Sequence, residues 1–201
     1  PSSPSQFAAT SYGTIPGTEN TDGYFARATP RKPNQTGGSG FAPEVMYSKT
    51  SGTFAENFQL VLESSQTGTT IKYTLDGELP NQNPPTYRRP IPINDSTEVR
   101  TRTFHSDLLP GPPTSETYIK LDPAITALRS PLPLMVISRL GTQRISGSRN
   151  TPVHFSVFEP KGGKAYLLSD PDFAQRGAAK TRGSSTGSLA KSSWAIEWRD
   201  E

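Results

Sequence analysis

Gly68-Thr69-Thr70-Ile71-Lys72-Tyr73-Thr74-Leu75-Asp76-Gly77-Glu78-Leu79-Pro80 decides how this chain folds. Ile71, Tyr73 and Leu75 alternate with polar residues, which is the period-2 pattern of a half-buried strand. Asp76-Gly77 follows at once and marks a tight turn, because Gly accepts positive φ. The same pattern recurs on either side. Phe58, Leu60 and Leu62 alternate, Val99–Phe104 and Thr117–Ile119 supply further strands, and Pro90-Ile91-Pro92-Ile93 is a short edge-like strand, the place where a sheet tolerates Pro. Several short strands separated by turns predict a β-sandwich over residues 43–121.

Composition extends the all-β expectation to the rest of the chain. The 201 residues include 20 Pro and 17 Gly, and only 31% are apolar. No stretch of about 12 residues carries the i, i+3, i+4, i+7 apolar spacing of a helix free of Pro and Gly. With no Cys, disulfide frameworks, thiolate zinc sites and Cys nucleophiles are excluded. No apolar run approaches the roughly 18–20 residues of a membrane span. The net charge of +3 comes from Lys and Arg interleaved with acids, a solvated surface and not a nucleic-acid-binding stripe. The chain begins without Met and stops three residues after Trp198, so it is expected to be an internal fragment of a longer protein.

Several residues are candidates for chemistry and have plainer readings. His105 and His154 have no metal-ligand spacing around them and read as ordinary surface or strand residues. Glu63, Asp76 and Glu78 could be drawn as a glycosidase carboxylate pair, but the turn explains Asp76 and solvation explains Glu78. Asp170 and Asp172 read as turn residues. Tyr73, Tyr87, Phe104 and Tyr118 could stack on sugars, though their places on alternating strands favour core packing. The Gly/Ser-rich stretch Arg182-Gly183-Ser184-Ser185-Thr186-Gly187-Ser188, with Lys191 beyond it, could bring backbone N–H groups to an anion and a cation to a phosphate. It could equally be a solvent-exposed hairpin connection with Lys191 a surface charge. Trp194, Ile196 and Trp198 alternate on one face of a last strand expected to lack neighbours and to expose apolar surface.

Three family resemblances organise these readings. The 68–80 stretch, with Tyr87, Pro90-Ile91, Val99–Phe104, Ser115 and Tyr118, resembles the chitobiase/β-hexosaminidase C-terminal-type domain, a fibronectin-III-like sandwich. The departure is Thr101 and Thr103 where small Ala is common. In those enzymes the sandwich is an accessory domain, which argues against glycosidase chemistry here. Residues 1–34 (Ser11-Tyr12-Gly13, Tyr24-Phe25 and Ala28-Thr29-Pro30-Arg31-Lys32-Pro33-Asn34) resemble the closing stretch of a lamin-tail-type domain, with Arg31 where Gly is usual. As a remnant this part is expected to be loosely ordered. Residues 35–42 form a flexible linker by composition, and 122–132 a connector.

Residues 133–201 begin again with Pro133-Leu134-Met135-Val136-Ile137 and continue with alternating Val153, Phe155 and Val157 and a short strand over Lys164–Leu168. Together with Arg182-Gly183-Ser184-Ser185 and Lys191 they resemble the N-terminal part of CotH-type proteins, atypical protein kinases of the spore-coat type. The fold class expected is therefore all-β: an immunoglobulin/fibronectin-III-like sandwich followed by an incomplete β-rich portion of a CotH-like domain. The resemblance implies that Arg182, Gly183, Ser184, Ser185 and Lys191 lie in a nucleotide-phosphate region, although the family's second basic residue after the Lys is Ser192 here. It implies ATP and a divalent metal such as Mg for the full-length parent. The family's catalytic and metal-binding Asp residues fall beyond Glu201, so the fragment itself is expected to carry no catalytic residue, metal ligand or cofactor. The expected partner is the downstream remainder of the CotH-like domain, with a surface protein or polysaccharide as a further candidate. The expected location is extracellular or at the cell surface. The alternative is a non-catalytic surface adhesion or polysaccharide-binding sandwich protein.

Overall fold

A computed structural model describes residues 10–18, 21–26, 29–33, 37–81, 83, 85–139, 144–147, 149–183 and 193–199. The first pair of strands, β1 (Ser11–Thr14) and β2 (Asp22–Phe25), forms an antiparallel hairpin. The sandwich strands follow: β3 (Val45–Tyr47), β4 (Gly52–Phe54), β5 (Phe58–Leu60), β6 (Leu62–Ser64), β7 (Thr70–Thr74), β8 (Ile91–Ile93), β9 (Thr97–Phe104) and β10 (Thr114–Lys120). One sheet has the order β4-β10-β9-β7, with β4 parallel to β10 and the other pairs antiparallel. The facing layer is made of β3 paired with β6 and β5 paired with β8. Leu60, Leu62, Ile91 and Ile93 from this layer meet Phe54, Ile71, Val99 and Tyr118 from the other in one buried core. The sandwich's opening segment thus divides between the two layers, β3 on one and β4 on the other. Two inner faces that each supply every second residue account for the alternation in the sequence.

The alternation stops one residue earlier than expected. β7 ends at Thr74, and Leu75 is exposed in the turn. The two threonines that stand where small residues were expected are fully buried, and their hydroxyls are satisfied. Thr101 Oγ1 lies 2.7 Å from the Tyr47 hydroxyl and 2.9 Å from Thr114 Oγ1, and Thr103 Oγ1 donates to the Pro43 carbonyl. A buried hydroxyl with a partner avoids the desolvation loss that an unpaired one would bring.

Two expectations about the N-terminal part are corrected. Within 1–34, Ser11–Thr14 and Asp22–Phe25 pair as the β1–β2 hairpin, with Phe25 buried. The Gly-rich stretch read as a flexible linker is in its described part a packed strap. Tyr24 and Gly38 exchange backbone hydrogen bonds of 2.9 and 3.0 Å, and Phe41 bridges to Leu109 in the β9–β10 loop. The glycines serve close approach: a Cβ on Gly37 would come within 2.7 Å of the Phe25 ring.

Past β10, a 3-10 turn at Pro123–Ile125 leads to β11 (Arg129–Ser130), β12 (Leu134–Arg139), β13 (Thr151–Phe158), β14 (Ala165–Tyr166), β15 (Phe173–Arg182) and β16 (Ser193–Trp198). An antiparallel sheet runs β12-β13-β15-β16, and β11 pairs with β14. The strand expected over 164–168 is only Ala165–Tyr166, because the chain turns after it. At the sheet edge Trp194 and Trp198 are 43% and 52% exposed, although Trp198 makes edge-on contacts with Phe155 and Phe173 at 5.0 and 5.3 Å.

This second sheet packs on the sandwich. Leu121 shares a buried cluster with Phe158, Ala165 and Leu167. The Thr53 hydroxyl donates to the Leu167 carbonyl, and Arg176 of β15 forms an ion pair with Glu98 of β9.

Candidate functional site

The phosphate-site residues suggested by sequence fall only partly on described chain. Arg182 closes β15 opposite Ser193 of β16, and Gly183 follows with φ of +96°. This left-handed value favours glycine and turns the chain out of the strand. Arg182 and Gly183 are both exposed. Ser184, Ser185 and Lys191 lie outside the described residues. β15 and β16 are antiparallel neighbours, so the Gly/Ser stretch connects two adjacent strands, a position open to both an anion cradle and a plain hairpin connection.

The junction of sandwich and sheet holds a polar cleft of about 350 Å3. From the sandwich, Ser51 and Glu116 enter it; from the sheet, His154, Asp170, Gln175 and Arg176. The Glu116 carboxylate accepts from both the backbone N–H and the hydroxyl of Ser51, whose Oγ in turn accepts from the Thr117 N–H at 2.8 Å. Burial, and next the charge of Arg176, hold the His154 pKa down at about 4, so the ring is neutral at pH 7. Its Nδ1 lies 3.4 Å from Ser156 Oγ; His154 is buried at the wall of the cleft, and Ser156 is fully buried. A hydroxyl beside an imidazole has the look of a nucleophile and its base, but the Ser156 hydroxyl is fully buried and does not reach the cleft.

The ion pair behind the cleft depends on the turn that opened the sequence reading. Gly77 has φ of +80°, and a Cβ there would lie 2.5 Å from Glu98 Oε2. The bare glycine leaves room for the Glu98 carboxylate, whose other oxygen meets Arg176. Arg100, also buried, donates to the Gly77 carbonyl at 3.2 Å.

The remaining candidates resolve into structural roles. Asp76 Oδ1 accepts from the Glu78 N–H at 3.1 Å, and both side chains are exposed on the turn. Asp172 accepts from the Glu159 N–H at 2.9 Å and pairs with Lys161 at 3.0 Å, a turn clamp that holds its carboxyl below the usual range. Asp170, read as a turn residue, lines the cleft. His105 Nδ1 accepts from the Asp107 N–H at 3.2 Å. Tyr118 is buried and donates to the Lys49 carbonyl at 2.6 Å, while Tyr87 accepts from the Leu62 N–H at 3.2 Å, so these rings belong to the core or its edge. Glu98, Glu116 and Arg176 carry no local signal in the sequence; only the folded chain brings them together. Among the described residues no group of three or more His, Cys, Asp or Glu could hold a metal ion, and no helix is long and apolar enough to cross a membrane.

The strand order and split opening segment place this chain among all-β proteins with an immunoglobulin/fibronectin-III-like sandwich. Residues 49–118, from the turn before β4 into β10, match the family described as the chitobiase/beta-hexosaminidase C-terminal domain. The sandwich is thus similar to one associated with carbohydrate-active enzymes. No curated protein and no solved structure matches the chain.

Proposed function

We propose that this chain is a non-catalytic part of an exported or cell-surface multidomain bacterial protein, with the sandwich as support for the first β-sheet of a CotH-like kinase domain. The observation that favours this reading is one of order. A sandwich of the chitobiase C-terminal type precedes an antiparallel sheet whose long strand β15 delivers Arg182-Gly183 to the head of a Gly/Ser stretch ending in Lys191. Phosphoryl transfer needs a backbone cradle, a cation on the phosphates and metal-held acids. Arg182, Gly183, Ser184, Ser185 and Lys191 would supply the cradle and the cations. ATP with a divalent metal such as Mg would be the cofactor of the whole protein, and its acids would come from further residues that pack on this sheet.

The test is nucleotide binding by the chain joined to its genomic continuation. Fluorescent ATP with Mg should bind, and Lys191→Ala and Arg182→Ala should each weaken binding about tenfold, as loss of a charge-assisted phosphate contact does. Undiminished binding by both variants sinks the nucleotide role. Phosphate transfer by the 201-residue chain alone would overturn the non-catalytic assignment.

A further inference from the structure

A groove of about 490 Å3 opens on the sandwich itself, lined by β6, by the loop that leads from it into β7, and by residues 86–88. Tyr87 is fixed within it from two directions. Its N–H donates to the Ile71 carbonyl of β7 at 2.9 Å, and its hydroxyl accepts from the Leu62 N–H of β6 at 3.2 Å. One residue is thus tied to both layers, and its half-buried ring packs on the core cluster. The hydroxyl is taken by the fold, which leaves the ring as the surface it offers a ligand. The loop is shaped by Ser64, whose Oγ accepts from the Gln66 N–H at 3.4 Å, and by Gly68 at φ of +77°.

The groove's polar groups are of two kinds. Glu63 and Arg88 are its charged members, one of each sign, and both are exposed. Neither side chain has an ion pair or hydrogen bond among the described residues. Gln82 and Pro84, the nearest positions in sequence outside the description, carry no charge. Beside this pair stand the amide of Gln66 and the hydroxyls of Thr67 and Thr69. Thr69 Oγ1 is buried and has no hydrogen-bond partner among the described residues. A buried hydroxyl left unpaired costs stability. Thr69 as a residue is only half-buried, so a turn about χ1 can carry its hydroxyl to the groove, where a ligand supplies the missing bond.

This lining selects a ligand by class. Balanced charge favours a neutral molecule over a polyanion or a polycation. A carboxylate and a guanidinium can each bond to two neighbouring groups at once, which suits adjacent sugar hydroxyls. Threonine hydroxyls and an amide both donate and accept, and so match hydroxyls of either role. A pyranose ring also has an apolar C–H face, which a half-buried tyrosine ring can meet. A free amino acid or peptide end would satisfy Glu63 and Arg88 but leave the hydroxyl-bearing wall unused. The volume lies within the roughly 300–1,000 Å3 usual for small-molecule sites.

We propose that this groove binds a neutral polysaccharide, with a sugar ring against Tyr87 and its hydroxyls bonded to Glu63, Arg88 and Thr69. The assignment does not rest on the kinase reading, because every residue in it belongs to the sandwich.

The test is calorimetry on the intact 201-residue chain with cellotetraose, xylotetraose and tetraacetylchitotetraose. At least one should bind, with an affinity that barely changes between about 0.05 and about 0.5 M salt. In the isotope-labelled chain, that saccharide should shift the amide resonances of Thr67–Thr70 and Arg88. Glu63→Gln and Arg88→Gln should each weaken binding about tenfold, as loss of a hydrogen bond to a charged group does. Both side chains are exposed, so the melting temperature should hold in each. Thr69→Val, which removes the unpaired hydroxyl, should weaken binding too without lowering the melting temperature. Arg89→Gln, exposed next in sequence but outside the lining, should leave binding unchanged. Binding of none of the three saccharides overturns the site, as does full-strength binding by both Glu63→Gln and Arg88→Gln. So would an equal loss in Arg89→Gln, or tighter binding of tetragalacturonate or tetraglycine than of any neutral saccharide.

Discussion

At the scale of single residues, Gly77 and His154 each carry a constraint set by a residue distant in the sequence, Glu98 for the one and Arg176 for the other. Gly77 meets two demands at once. Its φ of +80° disfavours any L side chain, and its missing Cβ leaves space for Glu98 Oε2, which would lie 2.5 Å from one. Gly163 meets only the first: its φ is +84°, and nothing lies within 4 Å of an added Cβ. Gly163→Ala should therefore cost about 1 kcal/mol of backbone strain, and Gly77→Ala should lose more, about 2–3 kcal/mol in all, because the carboxylate must move as well. Equal melting temperatures for the two variants would show that the contact with Glu98 is immaterial. His154 makes stability depend on pH. Its folded pKa of about 4 lies below the ordinary value of about 6.5. Between these two values the unfolded chain binds a proton that the folded chain does not. Stability should fall as pH drops from about 6.5 to about 4 and level off below that on this group's account, by up to about 3 kcal/mol. Urea unfolding at pH 7 and at pH 4.5 measures the slope. His154→Gln should be less stable at pH 7 yet lose less on acidification, and an unchanged slope in that variant would show that other groups cause the pH dependence.

Among the elements, β9 and β15 are held together by an ion pair between the sandwich and the second sheet. Glu98 and Arg176 have side chains that are only 4% and 14% exposed. Removing one partner from such a pair strands a buried charge, which costs about 3–5 kcal/mol, whereas replacing both with apolar residues can be nearly neutral. Arg176→Met should destabilise strongly, and Glu98→Leu with Arg176→Met should recover much of the loss. Losses that simply add would show that the two side chains do not act as a pair. The strands themselves were readable in advance. Ile71 and Tyr73, and Val153, Phe155 and Val157, alternate because one face of each strand meets an apolar core, and that period is a local property, although β9 and β13 also bury polar residues on the other face where sandwich and sheet meet. Leu75 misled because the turn ends the strand before it. The Gly37-Gly38 strap misled because glycine signals both freedom and close approach, and only the neighbouring Phe25 and Leu109 tell which applies. Arg176 could not be found at all. Its partner lies far away in sequence, and a charged residue in a strand of small and polar residues looks like any solvated position.

Over the whole molecule, the sequence divides at residues 122–132, where Pro and a short 3-10 turn interrupt the strands. In the folded chain that division is bridged. Leu121 is buried with Phe158, Ala165 and Leu167, Thr53 donates to the Leu167 carbonyl, and Arg176 reaches Glu98. Contacts of this kind couple two units when the shared buried surface is lost on opening either one. Sandwich and second sheet are therefore expected to unfold together. Hydrogen exchange in urea can follow peptides covering β9 and β13 separately, and in the unaltered protein the two should lose protection at the same midpoint. Arg176→Met removes one of these contacts and weakens the link, so in that variant the two midpoints should separate. Two distinct midpoints in the unaltered chain would mean that the interface is too weak to couple its sides. The sandwich could not then hold the sheet in place, and its proposed role as a support would fall with that result.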